Sequence, residues 1–212
     1  MTDDARWSPP HRGLAAWLAA GLCGVAALLL AACGTAPPPR FHTLMPAVHR
    51  AGPPPGGLGL AWQMAPVTVP AQVDQPQWVV SRADDTLAVL EQERWIAPLQ
   101  DELRAALVEH LSVQLGPPGA RAAPGHRDWR VVLDVRRFDT TPTRSLLVVD
   151  WTLQAAAGET AALRCSSRVE QAALSADIAA LAAAHRLALA QLAGLIVQAL
   201  RDVDGPGAGA CP

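Results

Sequence analysis

The most regular pattern in the sequence is a leucine at every fourth position between residues 99 and 115. Residues four apart lie on the same face of an α-helix, so this spacing predicts an amphipathic helix from Trp95 to Leu115. Pro98 is tolerated because it would lie in the first turn, and the following Gly-Pro-Pro-Gly ends the helix. The repeated leucines are Leu99, Leu103, Leu107, Leu111 and Leu115.

A second helix is predicted from Ser175 to about Val203. Ser175 is a typical N-cap residue, and Asp177 would place a negative charge in the first turn, where the helix dipole favours it. The sequence Asp-Gly-Pro-Gly follows the predicted end of the helix. Its apolar positions include Ile178, Leu181, Leu192, Ile196 and Leu200.

Between the two helices, apolar and polar residues alternate, which is the pattern of a β-strand with one buried face. Three such segments follow one another, at residues 129–136, 147–153 and 161–170, and predict an antiparallel meander. Three further strand segments precede the first helix, at residues 58–70, 77–82 and 86–95. This order of elements predicts an α+β two-layer sandwich over residues 58–204. Its sheet would be mixed but largely antiparallel, with two long helices on one face and residues 205–212 as a tail.

The amino-terminal segment has a different composition. Residues 14–32 carry no charge and follow a short basic region, as in a secretory signal, although their length approaches that of a membrane-spanning helix. The sequence Leu30-Ala31-Ala32-Cys33 resembles the lipobox of bacterial lipoproteins. That resemblance implies cleavage of residues 1–32 and attachment of a covalent lipid to Cys33. An uncleaved membrane span is the alternative.

The sequence after Cys33 indicates where the anchored chain would be found. In lipoproteins of this type an aspartate after the cysteine marks retention in the inner membrane, so Gly34 implies the periplasmic face of the outer membrane. Residues 33–57 are rich in proline and glycine and predict an extended tether. In polyproline geometry, that segment would reach on the order of 70 Å.

Composition excludes several functions. The net charge of −2 gives no electrostatic basis for nucleic-acid binding. The absence of lysine excludes a P-loop and Schiff-base chemistry. Once Cys23 leaves with the signal and Cys33 carries lipid, Cys165 and Cys211 remain. They either form a disulfide in an oxidising compartment or stay as two free thiols.

No catalytic or metal-binding motif is evident in the sequence. There is no GxSxG elbow, HExxH helix or CxxC pair, and the histidines are scattered. His110 and His185 lie on predicted helices among apolar residues and are interpreted as structural. The adjacent acids Asp84-Asp85 suit a loop, and Asp101-Glu102 suit a helix amino terminus. We therefore expect no enzymatic activity, no metal and no cofactor other than the lipid on Cys33.

Four segments in order resemble the PqiC-like auxiliary lipoproteins of ABC-type transport systems. They are the sequence after the lipobox, PVTVPAQVDQPQWVV, RWIAPL and DVRRFD, with a tryptophan following the last segment. The resemblance covers essentially the whole mature chain. Its motif residues are either turn and core residues or partner contacts, and they comprise Pro70, Asp74, Pro76, Trp95, Pro98, Leu99, Phe138 and Trp151.

The resemblance implies an outer-membrane lipoprotein that serves an MCE-type lipid transport system. In that role the chain would dock, as a homo-oligomeric ring, onto the periplasmic MCE protein of an ABC transporter. Two other functions stay open. One is a pilotin-like lipoprotein that escorts another outer-membrane complex, and the other is a lipid-modifying enzyme, for which the sequence offers no reactive constellation.

Overall fold

The computed structural model describes residues 37–46, 60–121, 123–124, 127–155, 162–204 and 210–212. The described residues from Pro39 onward belong to one compact unit, called the body below. The predicted signal peptide (residues 1–32), Cys33 and most of the predicted tether lie outside the described residues. So do residues 205–209 of the predicted tail.

Within the described ranges, the strands form two mixed sheets. One has the order β1–β4–β3 and the other β2–β5–β6–β7, with β1 parallel to β4, β2 parallel to β5 and the remaining pairs antiparallel. The alternating segments of the sequence form the β5–β6–β7 meander as predicted. The strands are β1 Arg40–His42, β2 Ala61–Met64, β3 Gln77–Ser81, β4 Leu87–Trp95, β5 Asp128–Thr141, β6 Arg144–Ala155 and β7 Ala162–Ala172.

Two helices, α1 (Leu99–Leu115) and α2 (Ile178–Asp204), complete the predicted α+β sandwich, which is confirmed. The two helices pack against each other, and α2 also lies on β6 and β7. The five leucines of α1 are buried in a core that both sheets share with both helices. The single sheet expected from the sequence is therefore two sheets around one core.

Both helices begin later than predicted. Trp95 is the last residue of β4, and α1 begins at Leu99 because Pro98 supplies the first carbonyl, which accepts a hydrogen bond from the Glu102 N–H at 3.0 Å. At α2 the cap is Asp177 instead of Ser175, since the Asp177 carboxylate accepts a hydrogen bond from the Ala180 N–H at 2.8 Å. Hydrogen bonds from Ser175 and from that N–H lower the pKa of Asp177.

The predicted tether also differs from the structure. Arg40–His42 form β1, and the next residues continue into the core, where Leu44 is fully buried. Residues 39–46 of the predicted tether therefore belong to the body. A three-residue strand that pairs in parallel with a strand some fifty residues later leaves no local periodicity in the sequence, which is why it was predicted as a tether.

Helix α2 satisfies the length and composition of a membrane span, with a mean hydropathy of 1.6 over its apolar window. In the structure, 56% of that window is buried inside the body. Leu181, Leu192, Ile196 and Leu200 all belong to the shared core. The apolar character of α2 is therefore explained by its position against β6 and β7.

Candidate functional site

An open surface groove of about 460 Å³ lies at the base of the β3–β4 hairpin, where the first turn of α1 begins. Five of the eight motif residues predicted from the sequence line it, although they come from two separate segments of the chain: Asp74, Pro76, Trp95, Pro98 and Leu99. The remaining lining residues are Phe41, Gln75, Arg94, Ile96 and Ala97. We call this set of residues the hairpin-base groove.

The rim of the hairpin-base groove carries two large apolar side chains that solvent reaches. Phe41 on β1 is 56% exposed, and Ile96 in the β4–α1 connection is 60% exposed. Trp95 and Leu99 below them are 4% and 1% exposed. The groove therefore combines a buried floor with an apolar rim, the combination that supplies binding energy at protein interfaces.

A stack of aromatic rings supports the floor of the groove from inside the body. Trp78 and Trp95 are stacked with ring centroids 4.2 Å apart, and Phe138 meets the edge of Trp95 at 6.0 Å. Phe138 in turn stacks on His185 at 4.1 Å. Phe138 is only 4% exposed and packs against Trp95 from inside the body.

His185 is a structural residue at the inner end of this stack. Its Nε2 atom lies 2.8 Å from the Thr140 hydroxyl, and burial lowers the pKa of the imidazole to about 3. The ring is therefore neutral at physiological pH. This agrees with the interpretation of His185 as structural.

The two remaining motif residues, Pro70 and Trp151, lie away from the groove. The Pro70 carbonyl accepts a hydrogen bond from the Val73 N–H at 3.0 Å and thereby closes a turn. Trp151 is buried in β6 and donates a hydrogen bond from its Nε1 atom to the Ser167 hydroxyl at 2.9 Å. Both residues therefore have structural roles in the body.

A buried carboxylate fastens β1 beside the groove. Glu93, which is 5% exposed, accepts hydrogen bonds from Arg40 and from His42, the latter at 2.6 Å. Burial raises the pKa of Glu93, but the hydrogen bonds from His42 and Arg40 and the charge of Arg40 outweigh burial and lower that pKa overall. Glu93 is therefore ionised at neutral pH, and it ties Arg40 and His42 of β1 to β4.

A second buried carboxylate fixes the chain immediately after β1. Glu102 on α1 accepts hydrogen bonds from the Thr43 hydroxyl and the Leu44 N–H, both at 2.7 Å. Arg186 on α2 donates to the Thr43 carbonyl at 3.1 Å. This segment is thus attached to both helices, and Phe41 is presented on a rigid support.

At the other end of the chain, Cys165 on β7 and Cys211 form a disulfide in the structure, with their Cα atoms 5.5 Å apart. The bridge attaches residues 210–212 to the edge strand β7. Neither cysteine belongs to the lining of the hairpin-base groove.

Among the residues that the structure describes, no three His, Cys, Asp or Glu side chains come together as potential metal ligands. Asp84 lies in the β3–β4 turn, where hydrogen bonds from the Thr86 hydroxyl and N–H and the charge of Arg82 lower its pKa. Asp101 and Glu102 lie in the first turn of α1, as the sequence predicted.

Sequence reasoning missed the two residues that make the groove apolar. Phe41 was assigned to the tether, and Ile96 to the first turn of the predicted helix. Neither position has a sequence signal of its own, because exposure of an apolar side chain depends on the path of the surrounding chain. The nearest indication of the groove in the sequence is that motif residues lie on either side of Ile96.

The fold and the groove together define a class of protein: an α+β body with a rigid, apolar surface groove. Comparison of sequences then gives the family. The chain belongs to the ABC-type transport auxiliary lipoprotein component family, which matches residues 42–197. Membership identifies the chain as a lipoprotein with an auxiliary role in ABC-type transport.

Solved structures with a similar fold include the two that follow. A crystal structure of an uncharacterized protein superposes with a TM-score of 0.60 at 19% identity, over 76% of this chain and 98% of its own. A Xanthomonas campestris protein of family DUF330 gives a TM-score of 0.56 at 22% identity, over 74% of this chain and 92% of its own. At these identities the likeness concerns the fold alone. No curated protein matches the chain.

Proposed function

We propose that this protein is a non-catalytic docking subunit of an MCE-type intermembrane lipid transport system. In this proposal the hairpin-base groove binds the periplasmic MCE protein of the ABC transporter. The observation that carries the proposal is the pair of exposed apolar side chains, Phe41 and Ile96, above the buried Trp95. Its support outside the structure is membership of a family of transport auxiliaries.

The chemistry of the groove favours a protein partner. Aromatic and large aliphatic side chains over a rigid floor are typical hot spots of protein interfaces, and charged groups at the rim add specificity. Here Asp74 and Arg94 supply one charge of each sign beside the apolar rim. The expected partner surface therefore presents apolar side chains flanked by a cation and an anion.

The proposal places the body at the periplasmic face of the outer membrane. Residues 1–32 would be removed, and the lipid on Cys33 would hold the chain in the membrane. We propose further that several copies assemble into a ring around the tunnel of the MCE protein. A ring multiplies a weak single contact through avidity, so that each groove needs only modest affinity.

Pairwise binding tests the proposal directly. The acylated chain, purified in detergent with an affinity tag, is mixed with the MCE protein that the proposal expects to be encoded by a neighbouring gene. We expect retention of the MCE protein at micromolar concentrations. Failure to retain it at tens of micromolar, with the body shown to be folded, would contradict docking. Retention of a secretin in its place would indicate the pilotin-like function.

Oligomeric state is a separate test. Light scattering on the detergent-solubilised, acylated chain is expected to give a multimer of defined size. A monomer at micromolar concentration would rule out a preformed ring, and binding of the MCE protein would then have to come from a single groove.

A further inference from the structure

We infer that the tip of the β3–β4 hairpin faces the membrane that carries the anchor, and that arginines around the tip bind phosphate groups of lipid headgroups. This inference rests on the lipidation of Cys33 in the proposed function. It assigns a membrane-contacting surface to the body. The surface lies at the opposite end of the hairpin from the groove at its base.

Only a short length of chain lies between the proposed anchor and the body. Because β1 is part of the body, only six residues lie between Cys33 and Arg40. The seven residue-to-residue steps of this link span at most about 25 Å, compared with on the order of 70 Å for the predicted tether. The body is therefore held close to the lipid surface.

The direction of β1 shows which end of the β3–β4 hairpin its first residue faces. β1 runs parallel to β4, with Arg40 beside Glu93 and His42 beside Trp95. The amino-terminal end of β1 therefore points toward the end of β4 at Leu87, where the hairpin turns. The six residue-to-residue steps from Glu93 back to Leu87 cover about 20 Å, which is within the maximum reach of the link to Cys33.

The tip of the β3–β4 hairpin lies beside a cleft that is lined by arginines. A cleft of about 670 Å³ lies between the β3–β4 turn and the β5–β6 turn, and we call it the tip cleft. Its lining includes four arginines, Arg82, Arg137, Arg144 and Arg168. Two carboxylates, Asp85 and Asp139, also line it.

The ion pairs in the tip cleft leave the arginines able to bind a further anion. Arg137 pairs with Asp139, and Arg144 and Arg168 share Glu170 at 2.7 and 3.3 Å. These three arginine side chains are about half exposed, where an ion pair contributes little. A guanidinium has five N–H donors in a planar fork, so a phosphate can bind alongside the existing carboxylate.

The positive and negative charges around the tip cleft are equal in number, which determines the range over which the cleft can attract an anion. Asp84 and Glu170 stand beside the lining residues, so the four arginines face four carboxylates in all. Such a surface has no long-range attraction for anions. It binds phosphate at close approach, through hydrogen bonds, once the short link has brought it to the headgroups.

Hydrogen exchange tests the inference on the acylated chain. Amide exchange at residues 82–86 is measured in vesicles of phosphatidylethanolamine and phosphatidylglycerol, and in dodecyl maltoside micelles, which contain no phosphate. We expect exchange in the vesicles to be slower by roughly fivefold or more. Arg82→Gln with Arg168→Gln removes the difference. Arg121→Gln with Arg130→Gln, two exposed arginines at the other end of β5, keeps it.

The remaining outcomes separate this inference from its premises. Equal exchange in vesicles and micelles, or equal loss in both arginine pairs, overturns the membrane contact. Protection by inorganic phosphate in micelles assigns the cleft to a soluble anion and likewise overturns it. The intact mass of the same sample shows whether acyl chains are present. Their absence overturns the lipidation together with this inference, whereas acylated chain without protection overturns this inference alone.

Discussion

At the scale of single residues, Glu93 holds in place the strand that forms one side of the candidate site. It is the one described carboxylate that joins Arg40 and His42 to β4, and the strand it holds carries Phe41 to the rim of the groove. A group whose folded pKa is lowered stabilises the protein above its unfolded pKa. That stabilisation is lost as pH falls through the folded pKa.

We therefore predict that Glu93→Gln lowers the free energy of unfolding by about 2 kcal/mol at pH 7. The difference from the unmodified chain should shrink as pH falls below 4.5, the ordinary pKa of the carboxyl. Denaturant unfolding at several pH values measures both effects. Glu91→Gln is the matched control, because Glu91 lies on the same strand but is exposed. A pH-independent difference would contradict the account of Glu93.

At the scale of secondary-structure elements, regular patterns were predictable and irregular ones were not. The leucines of α1 and the alternation in β5, β6 and β7 repeat over many residues, so the sequence identifies these elements. β1 has three residues and pairs with a distant strand. Its position depends on contacts of β1 with Glu93, and of the two residues after β1 with Glu102, and no local sequence pattern indicates these contacts.

The candidate site, too, could be predicted from the sequence only in part. The motif residues Pro76, Trp95 and Pro98 could be singled out from the sequence, and the structure brings them to one groove. The exposure of Phe41 and Ile96 could not be predicted, because both are apolar and apolar residues are more often buried. The division of the strands into two sheets likewise depends on pairings between residues far apart in sequence.

Removal of β1 tests whether this strand belongs to the body. A chain that begins at Gly57, the end of the predicted tether, is expected to be less stable than one that begins at Pro37. The loss should be at least about 3 kcal/mol, because Leu44 leaves the core and Glu93 loses its partners. Unfolding midpoints of the two chains measure the difference. Equal midpoints would show that residues 37–46 are dispensable, as expected of a tether.

The disulfide belongs to the same scale, because it fixes the end of the chain to β7. It joins cysteines 46 residues apart, and in the chain-entropy model closing such a loop stabilises by roughly 4 kcal/mol. We predict that reductant lowers the stability of the unmodified chain by about 2–4 kcal/mol. Reductant should leave the Cys165→Ser, Cys211→Ser double variant unchanged. Two free thiols in non-reduced periplasmic protein would refute the bridge.

At the scale of the whole molecule, the hairpin β3–β4 connects the two proposed surfaces. Its tip carries the arginines of the tip cleft, and its base carries the hairpin-base groove. If the tip lies on the membrane, the groove points into the periplasm, toward a partner that spans the gap. The short link from Cys33 then orients the body as well as anchoring it.

The central claim is that the hairpin-base groove binds the MCE protein, and one comparison of affinities tests it most directly. The dissociation constant for the proposed MCE partner is measured for the unmodified chain, for Ile96→Ser and for Leu187→Ser. Ile96 and Leu187 are 60% and 58% exposed, but Leu187 lies on α2, outside the groove lining. We predict at least about tenfold weaker binding for Ile96→Ser, and no more than about twofold for Leu187→Ser. Equal affinities for all three chains would contradict docking through this groove.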